Sequence, residues 1–425
     1  MKLHMKLRSP FFKNIIQFFT LVCSLFVRND LLIYAAAGAY GFLCSLVPII
    51  MLIAGILIRF FKTTPDVIIN MLSQTTLMQT FDLNNIFNSI FFVRRFGIFE
   101  IIITIFILWM ARRFFSYLTR GFRQIFRDGV VKSPMFISVI AFSAEVLLVL
   151  GVALLIFVLN VFQSFINFTG LISYIPWFLK KSGELFLRFL TFGIMSIVIM
   201  LFYYFITGSK PKLLDCAIAS VCCTFTFWVF NIIFHLFLNM GRYNIVYGVL
   251  SNLIVLLLEV YVFFMLLLFF AECIFVKQFY NILVFEQIYL LPPKNTKQLS
   301  AAFIRSVFQS PEFFIASELL ELKKNEPIFS KNSKSECIYY IASGTVSYFE
   351  NNHIEYFSAG SFFGEIDCLT KRKRHSTAIA ETDARLFCVS YDDFKELLNF
   401  SPEAGKKMVK TMNSFYLRTS VSRLG

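Results

Sequence analysis

A glycine, a carboxylate and an arginine stand at a suggestive spacing near the C-terminal end of the chain. Gly364 and Glu365 are adjacent, and Arg374 follows Glu365 by nine residues. A short helix is predicted to begin near Gly364, so that its free N–H groups face an anion, and the glycine lets a ligand approach the backbone closely. Arg374 is suited to pair with a phosphate, and Ser376 or Thr377 to add a hydroxyl donor. This spacing indicates a site for a phosphate-bearing ligand.

No second set of residues indicates catalysis or a metal site. The four histidines, at positions 4, 235, 353 and 375, are scattered along the chain. The nine cysteines show neither a C-x-x-C pair nor Cys/His ligand spacing. Metal-ion or acid–base catalysis needs a cluster of such groups. We therefore expect no catalytic residue, no bound metal and no resident cofactor.

Charged residues inside long apolar runs are a further set of candidates, because each costs ~2.5–3.5 kcal/mol on membrane insertion scales. Glu145 and Glu259 are the deepest, and they are interpreted as a polar lining or as members of an intramembrane ion pair. Arg188 is expected to reach the membrane surface by snorkelling, and Glu272 to meet water at the inner boundary. His235 stands alone on an aromatic face, which favours packing or a hydrogen bond over metal binding.

The composition excludes an ordinary soluble enzyme. Hydrophobic residues make up 57% of the chain and charged residues only 16%, against about 45–50% and about 25% in average chains. The net charge of +14 is compatible with nucleic acid binding. The basic residues of the first two thirds nevertheless cluster at the ends of apolar runs, as the positive-inside rule expects. The membrane surface is therefore the expected partner, and nucleic acid is not.

Six apolar runs predict six membrane-spanning helices. An even number of spans, with basic segments at Arg112–Lys132 and Lys210–Lys212 on one side, places both termini in the cytoplasm. Residues 1–30 lack the pattern of a cleavable signal peptide, and Phe11–Val27 is interpreted as a helix on the inner membrane surface. The predicted spans are Leu31–Phe61, Phe96–Met110, Met135–Phe162, Leu185–Ile206, Cys216–Leu238 and Val249–Val276.

The region after Leu291-Pro292-Pro293 has the composition of a soluble domain. Short strand-like runs punctuated by turn residues extend from Pro327 to Ser390. The predicted fold class is a polytopic α-helical membrane bundle followed by a soluble α+β domain. Its parts are an N-terminal helix (1–30), a membrane domain (31–285), a linker (286–310) and the α+β domain (311–425). Helices are predicted in the last two parts at Thr296–Phe308, Ser310–Lys323, Tyr391–Leu398 and Glu403–Arg418.

Roughly residues 10–285 resemble the YihY/virulence factor BrkB family of inner-membrane proteins, formerly called ribonuclease BN. The matching pieces are the alanine-rich first span ending in Ser45-Leu46-Val47-Pro48, the basic Arg113–Arg127 loop, the turn Tyr243-Asn244-Ile245-Val246-Tyr247-Gly248, and the last span ending in Ala271-Glu272. Ile218 and Glu259 depart from the family, which often has a glycine and an aromatic residue there. The resemblance implies a multi-pass protein of the bacterial inner membrane.

The C-terminal part resembles a cyclic nucleotide-binding domain, whose core is a β-roll. Residues 337–346 look like its early hairpin, and residues 360–366 with 374–378 look like its phosphate-binding cassette. The resemblance implies that Glu365 accepts a hydrogen bond from a ribose hydroxyl and that Arg374 pairs with the cyclic phosphate of cAMP or cGMP. Asp367 and Lys373 depart from the usual residues, and the charge of Asp367 is expected to weaken binding. The alternative is a structural β-roll without a nucleotide.

These features favour a non-enzymatic inner-membrane protein that transports or exports a lipid-like or small solute under control of the cyclic nucleotide domain. An oligomer is compatible with such a domain. Six spans before it also outline a cyclic nucleotide-gated ion channel, but no TVGYG-like filter occurs between spans five and six. A membrane ribonuclease is a further alternative, for which the sequence offers no catalytic cluster.

Overall fold

The computed structural model describes residues 10–44, 116–127, 177–207, 211–237, 249–291, 299–308, 318–350 and 353–421. The chain forms two compact units, one of residues Val22–Phe275 and the other of Met1–Leu21 together with Val276–Gly425. The predicted spans Phe96–Met110 and Met135–Phe162, and with them Glu145, lie outside the described residues.

Long apolar helices form the described part of the unit Val22–Phe275. Two stretches, Leu213–Leu236 and Ile254–Gln278, are long and apolar enough to cross a membrane, and they coincide with the fifth and sixth predicted spans. A bent pair, Asn14–Arg28 with Leu31–Cys44, would make a third if it is one span. Six spans are thus not confirmed. The helices are α1 (Pro10–Arg28), α2 (Leu31–Cys44), α3 (residues 116–126), α4 (Trp177–Ile206), α5 (Leu213–Phe237) and α6 (Val249–Gln278).

Close helix contacts in this unit depend on small and aromatic residues. Ala35 and Ala39 of α2 are buried, as the alanine-rich face predicts. Gly121 of α3 leaves so little room that an added Cβ would lie 3.2 Å from a methyl group of Leu268. The hydroxyl of Tyr203 donates to the backbone oxygen of Leu267 at 2.9 Å, which joins α4 to α6. These contacts hold four helices together without a single charged group.

Two four-stranded antiparallel sheets form a β-roll in the second unit. Their strand orders are β1-β8-β3-β6 and β2-β7-β4-β5. Aromatic rings fill much of the interior, with Tyr339 stacked on Phe363 at 5.3 Å and Phe329 stacked on Tyr339 at 5.7 Å. The strands are β1 (Glu318–Leu322), β2 (Pro327–Phe329), β3 (Cys337–Ser343), β4 (Thr345–Glu350), β5 (His353–Ser358), β6 (Phe362–Phe363), β7 (Thr377–Ala380) and β8 (Ala384–Ser390).

Helices cover one side of this roll. Tyr289 of α7 packs against Phe362 and Phe394, with ring centroids 5.2 Å away in each case. Gln17 of α1 donates to the backbone oxygen of Val307 at 2.9 Å. Residues 286–310, predicted as a linker, contain the end of one helix and the whole of the next. The helices are α7 (Tyr280–Tyr289), α8 (Leu299–Phe308), α9 (Glu365–Thr370), α10 (Tyr391–Phe400) and α11 (Pro402–Val421).

The helix predicted at Ser310–Lys323 is wrong in its described part, because Glu318–Leu322 forms strand β1. This strand pairs with β8 along its whole length, from Glu318 opposite Cys388 to Leu322 opposite Ala384. The run of Glu and Leu favours a helix in isolation. Pairing with β8, and packing of Leu320 and Leu322 against the core, override that preference. The three other predicted helices of the domain are confirmed as α8, α10 and α11.

Candidate ligand-binding site

Gly364 occupies the turn between β6 and the six-residue helix α9, with φ of +79°. The short helix begins where the sequence predicts it. A Cβ at Gly364 would lie only 2.5 Å from the nearer guanidinium nitrogen of Arg374. Both the left-handed conformation and the close approach therefore require glycine. Because α9 has fewer than two turns, its dipole is small, and the positive charge of the site comes mainly from Arg374.

Arg374 is buried, with 1% of its surface exposed. Nη1 donates to the Gly364 oxygen at 2.8 Å and Nη2 to the Cys337 oxygen at 2.5 Å. The guanidinium also lies 4.3 Å from the centre of the Phe329 ring. Within the described residues it has no carboxylate partner, and its Nε makes no hydrogen bond. A buried guanidinium without a counter-charge is costly, so the site favours an anion.

The two predicted hydroxyl donors, Ser376 and Thr377, differ in whether their hydroxyl groups already have a hydrogen-bond partner. Ser376 is wholly buried, and its Oγ has no hydrogen-bond partner in the described part of the chain. Thr377, the first residue of β7, is already used, because its Oγ1 accepts from the backbone N–H of Lys331 at 3.1 Å. Ser376 is therefore the better candidate for contacting a ligand.

Glu365 is buried and engaged by two residues of other helices. Burial raises the pKa of its carboxyl, while the charge of Lys407 and the nearby Tyr289 hydroxyl act in the opposite direction. The Tyr289 hydroxyl itself donates to the sulfur of Met408 at 3.7 Å. Burial lowers the pKa of the Lys407 ammonium, and Glu365 opposes that shift. Lys407 also donates to the backbone oxygen of Tyr289 and lies over its ring. Glu365 thus meets α7 and α11 at a single cluster.

Asp367 does not act as an isolated negative charge, contrary to the sequence-based expectation. Both of its carboxyl oxygens lie 2.7 Å from Nδ1 of His375. The other ring nitrogen of His375 lies 3.2 Å from the Tyr348 hydroxyl. The chain Asp367–His375–Tyr348 holds the loop that carries Arg374 against β4. The carboxylate is therefore matched locally.

Cys337 adjoins the site through its backbone and its thiol. A hydrogen bond from Cys388 lowers the pKa of the Cys337 thiol to about 7, burial opposes this, and the charge of Arg374 contributes to the lowering. The same positive charge that lowers this pKa would attract an anionic ligand.

The phosphate end of a cyclic nucleotide fits the residues present. Arg374 offers a guanidinium with an unused Nε, and Ser376 an unused hydroxyl, both buried. The ribose end fits only if Glu365 exchanges Tyr289 and Lys407 for a ribose hydroxyl. The cassette predicted from the sequence is therefore brought together in part, with Gly364 and Arg374 in contact.

The predicted polar residues of the membrane part have separate surroundings. Glu259 and His235 form a pair, with Oε1 and Nε2 3.4 Å apart, so His235 is not alone on its face as the sequence suggests. Arg188 lies on α4. Glu272 is wholly buried rather than at a water boundary, and Arg28 and Arg127 act on it electrostatically. The described residues contain no group of three His, Cys, Asp or Glu side chains that could hold a metal.

No pattern in the sequence singles out Tyr289 and Lys407, for a physical reason. Each lies in a helix far along the chain from Glu365, and neither belongs to a motif. Only the folding of α7 and α11 onto the β-roll brings them to the carboxylate. A search for basic or hydroxyl residues on the inner faces of the flanking helices is the one signal that would have found them.

Apolar helices followed by a β-roll with a buried arginine at a candidate anion site define a membrane protein with a soluble β-roll domain. Residues 22–280 match the model of the virulence factor BrkB family, which is more than half of the chain. The chain belongs to that family. Residues 319–400 match the cyclic nucleotide-binding domain, so the protein joins the two.

Known proteins resemble this chain in the domain region. The potassium/sodium hyperpolarization-activated cyclic nucleotide-gated channel 2 of mouse and that of human are each 33% identical over 114 residues, covering 25% of this chain and only 13% of the channel. The catabolite activator protein of Thermus thermophilus is 20% identical, with a TM-score of 0.24, over 25% of this chain and 53% of that one. The EAL enzyme Bd1971 in its cAMP-bound form is 20% identical, with a TM-score of 0.22, over 25% and 29%.

Proposed function

We propose that this BrkB-family protein transports or exports a lipid-like or small solute across the bacterial inner membrane, and that a cyclic nucleotide bound at the C-terminal domain regulates it. It is a multi-pass protein with both termini in the cytoplasm, and it is not an enzyme. Membrane lipid and cAMP or cGMP are its partners. Assembly as an oligomer is compatible with such a domain.

Arg374 is the observation that carries the ligand-binding half of this proposal. Its side chain is buried without a carboxylate partner in the described residues, and its Nε and the nearby Ser376 Oγ lack hydrogen bonds. Buried polar groups in folded proteins nearly always have partners. A cyclic phosphate supplies the negative charge and the acceptor oxygens that these groups lack.

Glu365 supplies the regulatory half. Tyr289, the last residue of α7, and Lys407 of α11 lie near enough to act electrostatically on this carboxyl. Only Phe279 separates α7 from α6, which contains the last apolar span. A ribose hydroxyl that binds Glu365 must compete with Tyr289 and Lys407. Ligand binding therefore alters the contact that holds α7 to the β-roll, and through α7 the helix that enters the membrane.

The two alternatives have less support. The similarity to cyclic nucleotide-gated channels covers only 13% of each channel and lies in the domain region, so it supports nucleotide binding rather than ion conduction. A membrane ribonuclease would need a catalytic cluster. In the described residues of the membrane part, Glu259 lies beside His235, with Oε1 and Nε2 3.4 Å apart.

Calorimetric titration of the full chain in lipid nanodiscs with cAMP and with cGMP tests the proposal. We expect micromolar affinity for one of them, which corresponds to ~8 kcal/mol. Ser376→Ala removes an unused hydroxyl at no expected cost to folding, and it should weaken binding about fivefold, as for ~1 kcal/mol of hydrogen bonding. Arg374→Ala should abolish binding, because the charged contact is lost.

Arg372→Ala is the matched control, because Arg372 lies on the same loop with an exposed side chain. It should bind as the unchanged protein does. Absence of binding by a protein whose β-roll is folded would overturn the regulatory half of the proposal and leave a structural or docking domain. Equal affinity in Ser376→Ala, Arg374→Ala and the unchanged protein would place the ligand elsewhere.

A further inference from the structure

Five exposed basic residues lie together on the surface of the β-roll. Lys371, Arg372 and Lys373 form the loop that follows α9, and Lys331 and Lys334 belong to the loop between β2 and β3. All five have exposed side chains. We call this group the basic surface.

Backbone hydrogen bonds hold the two loops side by side. The N–H of Asn332 donates to the Arg374 oxygen at 2.8 Å, and the N–H of Arg374 donates to the Ser333 oxygen at 2.9 Å. The N–H of Lys331 donates to the Thr377 hydroxyl at 3.1 Å. The five charges are therefore fixed on one face rather than scattered on independent loops.

Three of these charges have no partner within the described residues. The side chains of Lys334, Arg372 and Lys373 make no ion pair or hydrogen bond there. Lys371 lies 4.9 Å from the centre of the Tyr391 ring, a contact that leaves its charge in place. Of the nearby acids, Glu336 is exposed and Asp367 is engaged with His375. Repelling charges kept this close together favour an anionic partner.

We propose that the basic surface docks on anionic phospholipid headgroups of the membrane in which the protein resides. The domain is tethered to membrane-spanning helices, so an anionic leaflet is present at high effective concentration without a separate binding step. Clusters of four to eight Lys and Arg next to a membrane helix bind anionic lipid in this way. Nucleic acid binding is less favoured, because no aromatic side chain of the two loops stands among the charges to stack on bases.

The docking does not depend on a nucleotide, but it engages the loop that carries Arg374. The backbone of Arg374 joins the two halves of the basic surface, while its side chain lies in the candidate ligand site. The lipid surface and the ligand site therefore lie on opposite sides of one loop.

Lysine acylation in nanodiscs tests this proposal on the full chain. An amine-reactive ester is applied to protein in phosphatidylcholine discs and in discs that also contain phosphatidylglycerol, and mass spectrometry gives the rate at each lysine. Lys334, Lys371 and Lys373 should react more slowly in the anionic discs, on the order of fivefold. The protection should disappear in about 1 M salt, where the Debye length is about 3 Å.

Lys324 and Lys410 serve as internal references, because both are exposed on other elements of the same domain. The double variant Lys334→Gln/Lys373→Gln should lose the protection of Lys371, and it alters only exposed side chains, so folding is unaffected. Equal rates in the two kinds of disc would overturn the proposal. Slow acylation of Lys334, Lys371 and Lys373 relative to the reference lysines, persisting in phosphatidylcholine discs at high salt, would also overturn it. That result would indicate contact with protein, such as a second copy of the chain.

Discussion

At the scale of single residues, Arg374 and Gly364 depend on each other. The guanidinium donates to the Gly364 oxygen, and it reaches that position only because residue 364 has no Cβ. Burial of the arginine leaves its charge without a carboxylate in the described residues, which is the property that an anionic ligand would use. A change at Gly364 should therefore disturb both the fold of the turn and the anion site.

Gly364→Ala should destabilise the β-roll by about 1–3 kcal/mol, because it combines an unfavourable φ with a clash against Arg374. Gly360→Ala is a matched control. Gly360 also has a positive φ, of +94°, but a Cβ there would meet nothing within 4 Å. It should cost about 1 kcal/mol. Hydrogen-exchange mass spectrometry of β3 and β7 in the full chain measures both. Equal destabilisation by Gly364→Ala and Gly360→Ala would mean that the close approach of Arg374 to Gly364 does not contribute to the cost of the substitution.

The contact between Gly364 and Arg374 was predictable from the sequence, and the partners of Glu365 were not. The difference lies in how far apart the contacting residues are along the chain. Gly364 and Arg374 are separated by one short helix and a loop, so spacing alone indicates that they meet. The partners of Glu365 come from α7 and α11, and their arrival depends on tertiary packing. The pairing of Asp367 with His375 was within reach of the same spacing argument, but His375 was considered only as one of four scattered histidines that form no catalytic cluster.

At the scale of elements, α7 connects the end of the last apolar helix with the candidate site. Its buried residues pack on the β-roll. The ring centroid of Phe285 lies 6.2 Å from that of Phe362, in the strand β6 that leads to Gly364. The hydroxyl of the last residue of α7, Tyr289, donates to the sulfur of Met408 at 3.7 Å and lies near enough to Glu365 to act on its carboxyl. The predicted boundary between membrane domain and linker, at residues 285 and 286, falls inside α7, whereas the structure has residues on both sides of that boundary buried.

Tyr289→Phe should tighten nucleotide binding about fivefold, because it removes a hydroxyl that acts on the Glu365 carboxyl and would compete with a ribose hydroxyl, at ~1 kcal/mol for one hydrogen bond. The ring contacts of Tyr289 with Phe362 and Phe394 are kept in phenylalanine. The same calorimetric titration in nanodiscs measures the change. Tyr416→Phe, at a residue that is 45% exposed, should leave the affinity unchanged. Weaker binding in Tyr289→Phe would show that the hydroxyl supports the ligand instead of competing with it.

Elements were predictable from the sequence where the local pattern and the tertiary contacts agree. The apolar runs of α5 and α6 are long enough to decide their own structure. Strand β1 was predicted as a helix, because Glu and Leu prefer helices and its pairing with β8 is invisible locally. The strands of the β-roll from Pro327 to Ser390 were predicted together, since glycine and asparagine turns mark their ends.

At the scale of the whole molecule, the charge pattern and the proposed function both require the C-terminal domain to be in the cytoplasm. The positive-inside rule predicts that the exposed arginines Arg120 and Arg123 of α3 lie on the cytoplasmic side. A domain that binds a cyclic nucleotide and an anionic leaflet needs to be on that side as well. The proposed regulation therefore fails if the C-terminus lies outside.

Reporter fusions test this constraint in cells. A fluorescent protein that matures only in the cytoplasm should be bright when fused after Gly425, and an alkaline phosphatase that is active only outside should be inactive there. The opposite pattern is expected for fusions within 239–246, the predicted outer turn before α6, because one apolar span separates the two positions. Phosphatase activity at Gly425 would contradict both the cytoplasmic domain and its regulation by a cyclic nucleotide. Identical signals at the two positions would mean that α6 does not cross the membrane.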